Sequence, residues 1–214
     1  MNLLDLAFPA RCLACRHPGM HLCTDCESTL LAGSGTAADH GAAVLDLGQA
    51  GAIVRAGKLR GARVAAKVMA RLTSPDALPT DIDIVTWVPA DPRRGAERGL
   101  HLPQLYAARL ARDIGAPALP LLTREHAPAQ RGSSRDARWR NVERVFAPAA
   151  YASWRVRPGS RVLVVDDVRT TGATLEAACS VLRRLGAAAQ PFAFAHVPAH
   201  CQHEPQPLHF FADE

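Results

Sequence analysis

The segment Val162 to Thr174, VLVVDDVRTTGAT, places two consecutive carboxylates and three threonines between an apolar run and a small-residue turn. Thr170, Thr171 and Thr174 offer hydroxyls. Gly172 lets the backbone curl, so that successive N–H groups point at one oxygen-rich group where a helix begins. A phosphate monoester suits that arrangement. The helix terminus contributes about 0.3–1 kcal/mol of attraction, whereas each hydrogen bond to a charged phosphate contributes about 1.5–3 kcal/mol. The hydrogen bonds therefore decide affinity. Asp166 and Asp167 would repel a phosphate unless they served a second group. Vicinal hydroxyls of a ribose, with or without a bridging Mg²⁺, are such a group, because a carboxylate accepts hydroxyl hydrogens well. The competing reading is a generic strand–turn–helix of some other nucleotide-binding α/β protein; the combination of an acidic pair with Thr-Thr-Gly weighs against it.

A second chemical cluster lies near the beginning, as Cys12-x-x-Cys15 and Cys23-x-x-Cys26. Two C-x-x-C turns can complete a tetrahedron of thiolates around a soft ion such as Zn²⁺. Four protein ligands leave no open position, so the implied zinc is structural, a staple for a stretch with few large apolar side chains. Two disulfides or redox-active C-x-x-C pairs are the alternatives. Cys179 falls within an expected helix. Cys201 lies in a His-rich end with His196, His200, His203 and His209, which reads as a loose polar terminus or, less simply, a second metal site.

These groups need a frame. With 214 residues, 48% hydrophobic and 21% charged, the chain suits one α/β core with a small appended module. No apolar stretch approaches the roughly 18–20 residues of a membrane span. Asp5 precedes any basic residue, unlike the start of a secretory signal, and a cytoplasmic protein is expected. The formal charge of +5 shrinks by two if four thiolates hold one zinc, so the basic excess is slight.

The small, polar run from about Ala32 to Ala43 reads as a linker or surface loop. Between Lys58 and Leu72, Leu59, Val64, Ala65, Val68, Met69 and Leu72 recur at helical spacing, with Arg60, Arg63, Lys67 and Arg71 turned outward. A strand over Asp83–Val88 ends at Pro89, and a helix follows over Leu100–Ile114. The arginine-rich stretch Thr123–Ala149 should be mobile at least in part. A strand over Arg161–Val165 ends in the acidic pair, a helix over Gly172–Leu185 is closed by Gly186, and a strand over Gln190–Val197 comes last. Alternating strands and helices imply a parallel sheet flanked by helices, with ligands at its carboxyl edge. The expected division is 1–43 for the cysteine module and linker, 44–199 for the α/β domain and 200–214 for a tail.

The acidic pair and threonine turn resemble the ribose-phosphate motif of type I phosphoribosyltransferases. The resemblance implies that Asp166 and Asp167 hold the ribose hydroxyls and act as the catalytic carboxylates. It implies that Thr170, Thr171, Gly172, Ala173 and Thr174 hold the 5′-phosphate of phosphoribosyl pyrophosphate. Arg169 departs from the aliphatic residue usual there. Taken whole, from Pro9 to Pro198, the chain resembles the ComF family, which joins a four-cysteine zinc module to a phosphoribosyltransferase domain. The matching pieces are Lys58-Leu59-Arg60-Gly61, Val88-Pro89 with Arg93, Arg94, Arg98 and Gly99, and the series Gln130, Arg135, Arg138, Asn141 and Phe146. Leu100, His101 and Leu102 stand where an aromatic, Asn and Gln are frequent.

By the same resemblance, the loop Ala90–Gly95, with Ala90 and Asp91, holds pyrophosphate, supplemented by Arg93, Arg94 and Arg98, and Mg²⁺ accompanies phosphoribosyl pyrophosphate. The family implies a role in natural transformation, in uptake or handling of incoming single-stranded DNA with uptake, recombination or replication proteins as partners. The alternative is a phosphoribosyltransferase of nucleobase or nucleotide salvage with an unknown acceptor. Arg131, Arg135, Arg138 and Arg140 surround Trp139, and a base can stack on an indole while arginines follow the phosphates, at about 1–3 kcal/mol per base. A lone Trp is more often packing.

Overall fold

A computed structural model describes residues 9–37, 43–91, 100–124 and 145–197. After the cysteine turns, helix α1 spans Thr24–Ala37 and strand β1 Ala43–Asp46. Helix α2 covers Leu47–Ala56, started by the Asp46 carboxylate, which accepts the Gly48 N–H at 2.6 Å. One π-helical turn, Gly57–Gly61, leads into α3, Ala62–Leu72. Strand β2 is Ile84–Trp87 and α4 is Leu102–Asp113. Short strands β3, Leu122–Arg124, and β4, Phe146–Pro148, precede the single turn α5, Ala152–Arg155. The chain then makes β5, Arg161–Arg169, α6, Ala173–Arg184, and β6, Ala188–His196.

Four strands form a parallel sheet in the order β1-β6-β5-β2, and β3 and β4 pair antiparallel beside it. The central strand β5 is apolar on both faces. Leu163 and Val165 join a core built with α2, α3 and α4, while Val162 and Val164 join one built with α6, β4 and Val156. The expected doubly covered parallel sheet is present. Among the described residues no helix is long and apolar enough to cross a membrane.

Several expectations change. Residues 32–37 continue α1 rather than forming a linker. Gly33 lies close against α2, since a Cβ there would lie 2.3 Å from the Gln49 side chain. Residues 38–42 lie outside the described part. The amphipathic helix expected from Lys58 begins with the π-turn, whose extra residue shifts the helical phase and leaves Leu59 74% exposed. Thr123 and Arg124 pair with Ala147 and Phe146, so both ends of the stretch expected to be mobile are strand; residues 125–144 lie outside the described part. His196 belongs to β6 and its Nδ1 lies 3.0 Å from the Leu45 carbonyl oxygen, which ties the sheet edge rather than fraying in a tail. His200, Cys201, His203 and His209 lie outside the described residues.

The cysteine module shares the main core. Cys12, Leu22 and Leu30 are buried in the same cluster as Val44, Ile53 and Met69, and Glu27 of α1 forms an ion pair with Arg71 of α3.

Candidate functional site

The site arises where two strands part. Strand β2 pairs with β5 through Trp87 and Val165, and the Val88 N–H donates to the Val165 carbonyl at 2.9 Å. Beyond that point β5 continues beside β6 as far as Arg169. The acidic pair therefore sits inside a strand, not at its end as the sequence suggested: the β5–β6 ladder carries it past the end of β2. The opening is a cavity of about 390 Å³ lined on one side by Val88, Pro89, Ala90 and Asp91, and on the other by Asp166, Asp167 and Thr174. Lys58, Leu100, His101, Leu102, Pro103 and Arg124 close it. Arg124 is steadied from β4, its guanidinium lying 5.5 Å from the centre of the Phe146 ring.

Strand alternation divides the carboxylates. Asp167 shares parity with Leu163 and Val165 and turns toward the α2–α4 layer, where it is 6% exposed. There the Lys58 ammonium of the π-turn lies 2.8 Å from Asp167 Oδ2. Asp166 shares parity with Val162 and Val164, and its Oδ1 accepts the Asp167 N–H at 2.8 Å. Burial and then the neighbouring Asp167 charge push the Asp166 carboxyl up to about 8. His101, at the position before α4, is pushed down by burial, against the upward pull of Asp167.

Gly172 makes the turn possible with a left-handed φ of 81°, and α6 begins at the next residue. The Ala173 N–H lies 3.4 Å from Thr171 Oγ1. A Cβ on Gly172 would lie 3.0 Å from Arg169 Nε, so the arginine that departs from the usual motif lies across the turn. Thus Asp166, Asp167, Thr174, Ala90 and Asp91 line one cavity, with Thr170, Thr171, Gly172 and Ala173 beside it. Arg93, Arg94 and Arg98, and Arg135, Arg138, Trp139 and Arg140, lie outside the described residues. The reading of the residues gave no site role to Lys58 or Arg124. Lys58 carried one sign of its own: a cation flanked by Gly57 and Gly61 at the start of an otherwise regular amphipathic pattern.

The ligand atoms of Cys12, Cys15, Cys23 and Cys26 all lie within 4.8 Å of one another. The Cys23 N–H points at Cys12 Sγ at 3.5 Å. Burial raises the Cys12 thiol, but backbone N–H groups of Cys15, Cys23 and Ala14 outweigh it and bring it down to about 6. Such N–H···S bonds favour a thiolate. The four sulfurs fit a tetrahedral soft ion with no position left open.

Residues 59–206 match the phosphoribosyl transferase domain. The chain is 37% identical over 125 residues to adenine phosphoribosyltransferase of Thermobifida fusca, covering 54% of this chain and 64% of that protein. It is 36% identical over 91 residues to competence protein F of Haemophilus influenzae, covering 42% of this chain and 39% of that protein. In both cases it spans less than two thirds of the relative's length. A solved adenine phosphoribosyltransferase from Thermoanaerobacter pseudethanolicus superposes with a TM-score of 0.43 at 17% identity, covering 68% of this chain and 72% of that one. The chain belongs to the phosphoribosyl transferase domain family, in the ComF-type arrangement that adds an N-terminal four-cysteine module to that domain.

Proposed function

We propose that the cavity binds the ribose 5-phosphate part of phosphoribosyl pyrophosphate. One observation carries the reading: an acidic pair, Asp167 of it buried, lines one opening of a parallel sheet together with Thr174 of the helix that a left-handed glycine turn begins. Asp166 and Asp167 accept the ribose hydroxyls, and Thr170 to Thr174 take the 5′-phosphate with hydroxyl and backbone donors. Ala90 and Asp91 begin the pyrophosphate loop, which Arg93, Arg94 and Arg98 supplement. When bound, Mg²⁺ supplies positive charge beside the pyrophosphate. The carboxylates balance the positive charge that grows on the sugar as pyrophosphate departs, and no side-chain nucleophile is required. Zinc on the four cysteines holds the N-terminal module to the core.

Isothermal titration with phosphoribosyl pyrophosphate tests this. Binding that strengthens with Mg²⁺ and falls at least about tenfold in Thr171→Ala is expected, the loss of a bond to a charged phosphate; a wild-type protein giving no heat with or without Mg²⁺ refutes it.

The likeness to competence protein F favours a cellular role in natural transformation, in uptake or handling of incoming single-stranded DNA in the cytoplasm. Loss of transformants on deletion, restored by the wild-type protein, is the expected result. The likeness to adenine phosphoribosyltransferase favours the second reading, transfer of phosphoribose to a nucleobase in salvage. Conversion of labelled adenine to a nucleotide by the purified protein distinguishes it.

A further inference from the structure

Two consecutive carboxylates at the mouth of an anion site pose an electrostatic problem, and the fold holds a cation against one of them. The Lys58 ammonium approaches Asp167 Oδ2 to 2.8 Å, although that oxygen accepts no aligned hydrogen bond. The contact is ionic: it offsets the charge of Oδ2, an oxygen itself closed to solvent, while Asp167 as a residue still lines the cavity. Lys58 reaches this point because the π-turn advances the chain by an extra residue, and the turn sits close only because position 57 has no side chain. A Cβ on Gly57 would lie 2.8 Å from both Ala65 and Leu102. Asp91, His101, Arg124 and Asp166 face the same cavity, and Lys58 enters it from the α2–α4 side, the side toward which Asp167 turns.

We infer that Lys58 is a positioning residue, the resident counter-cation of the ribose-hydroxyl site, which holds the Asp167 side chain in place, offsets its charge and lets the site take a ribose 5-phosphate without an obligatory divalent cation. The inference rests on the ribose-phosphate reading above. A strict Mg²⁺ requirement then belongs to the pyrophosphate portion of the ligand, not to the sugar and its 5′-phosphate.

Calorimetric titration with ribose 5-phosphate, in chelator and in millimolar Mg²⁺, separates the possibilities. Wild type is expected to bind in both conditions with affinities within about threefold of each other. Lys58→Met should lose about tenfold or more in chelator, the scale of one charge-assisted contact. It should recover most of that loss in Mg²⁺, which a merely structural defect would not do. Lys58→Arg should stay near wild type. Lys58→Gln serves as a second neutral variant, and thermal melts confirm that each variant folds. Wild-type binding together with unchanged affinity in both neutral variants overturns the counter-cation alone, as does wild-type binding that vanishes in chelator. A wild type that binds ribose 5-phosphate in neither condition overturns the site reading and this inference with it.

Discussion

At the scale of single residues, Asp166 contributes a pH dependence to the stability of the apo protein. Burial and the Asp167 charge push its carboxyl up to about 8 in the folded chain, against about 4 for an ordinary aspartate in an unfolded chain. Between those values the folded state binds the extra proton, so Asp166 makes stability fall as pH rises through that window. An asparagine has no proton to lose. The melting temperature of Asp166→Asn relative to wild type, measured by circular dichroism in chelator, should therefore rise from pH 4 to pH 8 and level off above it; a constant difference refutes the assignment. Residues of this kind were legible because their chemistry is contiguous: two acids and a Thr-Gly turn, or two C-x-x-C pairs. Lys58 was not, because it meets Asp167 only after α2 and β5 have been packed together.

At the scale of elements, the π-turn is the part that periodicity misreads. The pattern from Lys58 to Leu72 is helical, and α3 confirms its latter part with Ala65, Ala66, Val68, Met69 and Leu72 buried. A single widened turn does not disturb apolar spacing enough to be seen, yet it decides that Lys58 faces the cavity and Leu59 faces out. Gly57→Val should force Leu102 and Ala65 apart and destabilise the fold by about 1–3 kcal/mol, an overpacking effect. Urea unfolding measures it, and a change within error would show that the contact relaxes freely. Strands β1 and β3 escaped the sequence reading for a different reason. Four residues and three residues are too short for a period to register, and it is pairing with β6 and β4 that makes them strands.

At the scale of the molecule, the cysteine module and the α/β domain are one packed body rather than two tethered ones. The sequence suggests a linker after the cysteines because small residues resemble loops; here Gly33 lies on α1, close against Gln49 of α2. Stripping the metal with a chelator should therefore lower the melting temperature of the whole protein by about 5 °C or more. Amide exchange should quicken first in α1 and β1, and unchanged protection in β1 would contradict the shared core. Metal analysis of tag-free protein should find about one zinc per chain; less than half an equivalent undoes the zinc assignment.

The sheet order β1-β6-β5-β2 places the first strand of the domain beside its last. During synthesis β1 leaves the ribosome long before β6, and its pairing edge must wait for Ala193 and Ala195 to arrive. Contacts this distant along the chain are slow to form, since the loop-closure entropy is lost before the ladder returns anything. Until then Leu22 and Leu30 lack the surface they finally pack on. A metal held by the four cysteines would need only contacts within the first part of the chain, so it would order the amino-terminal segment before the distant β1–β6 ladder could form.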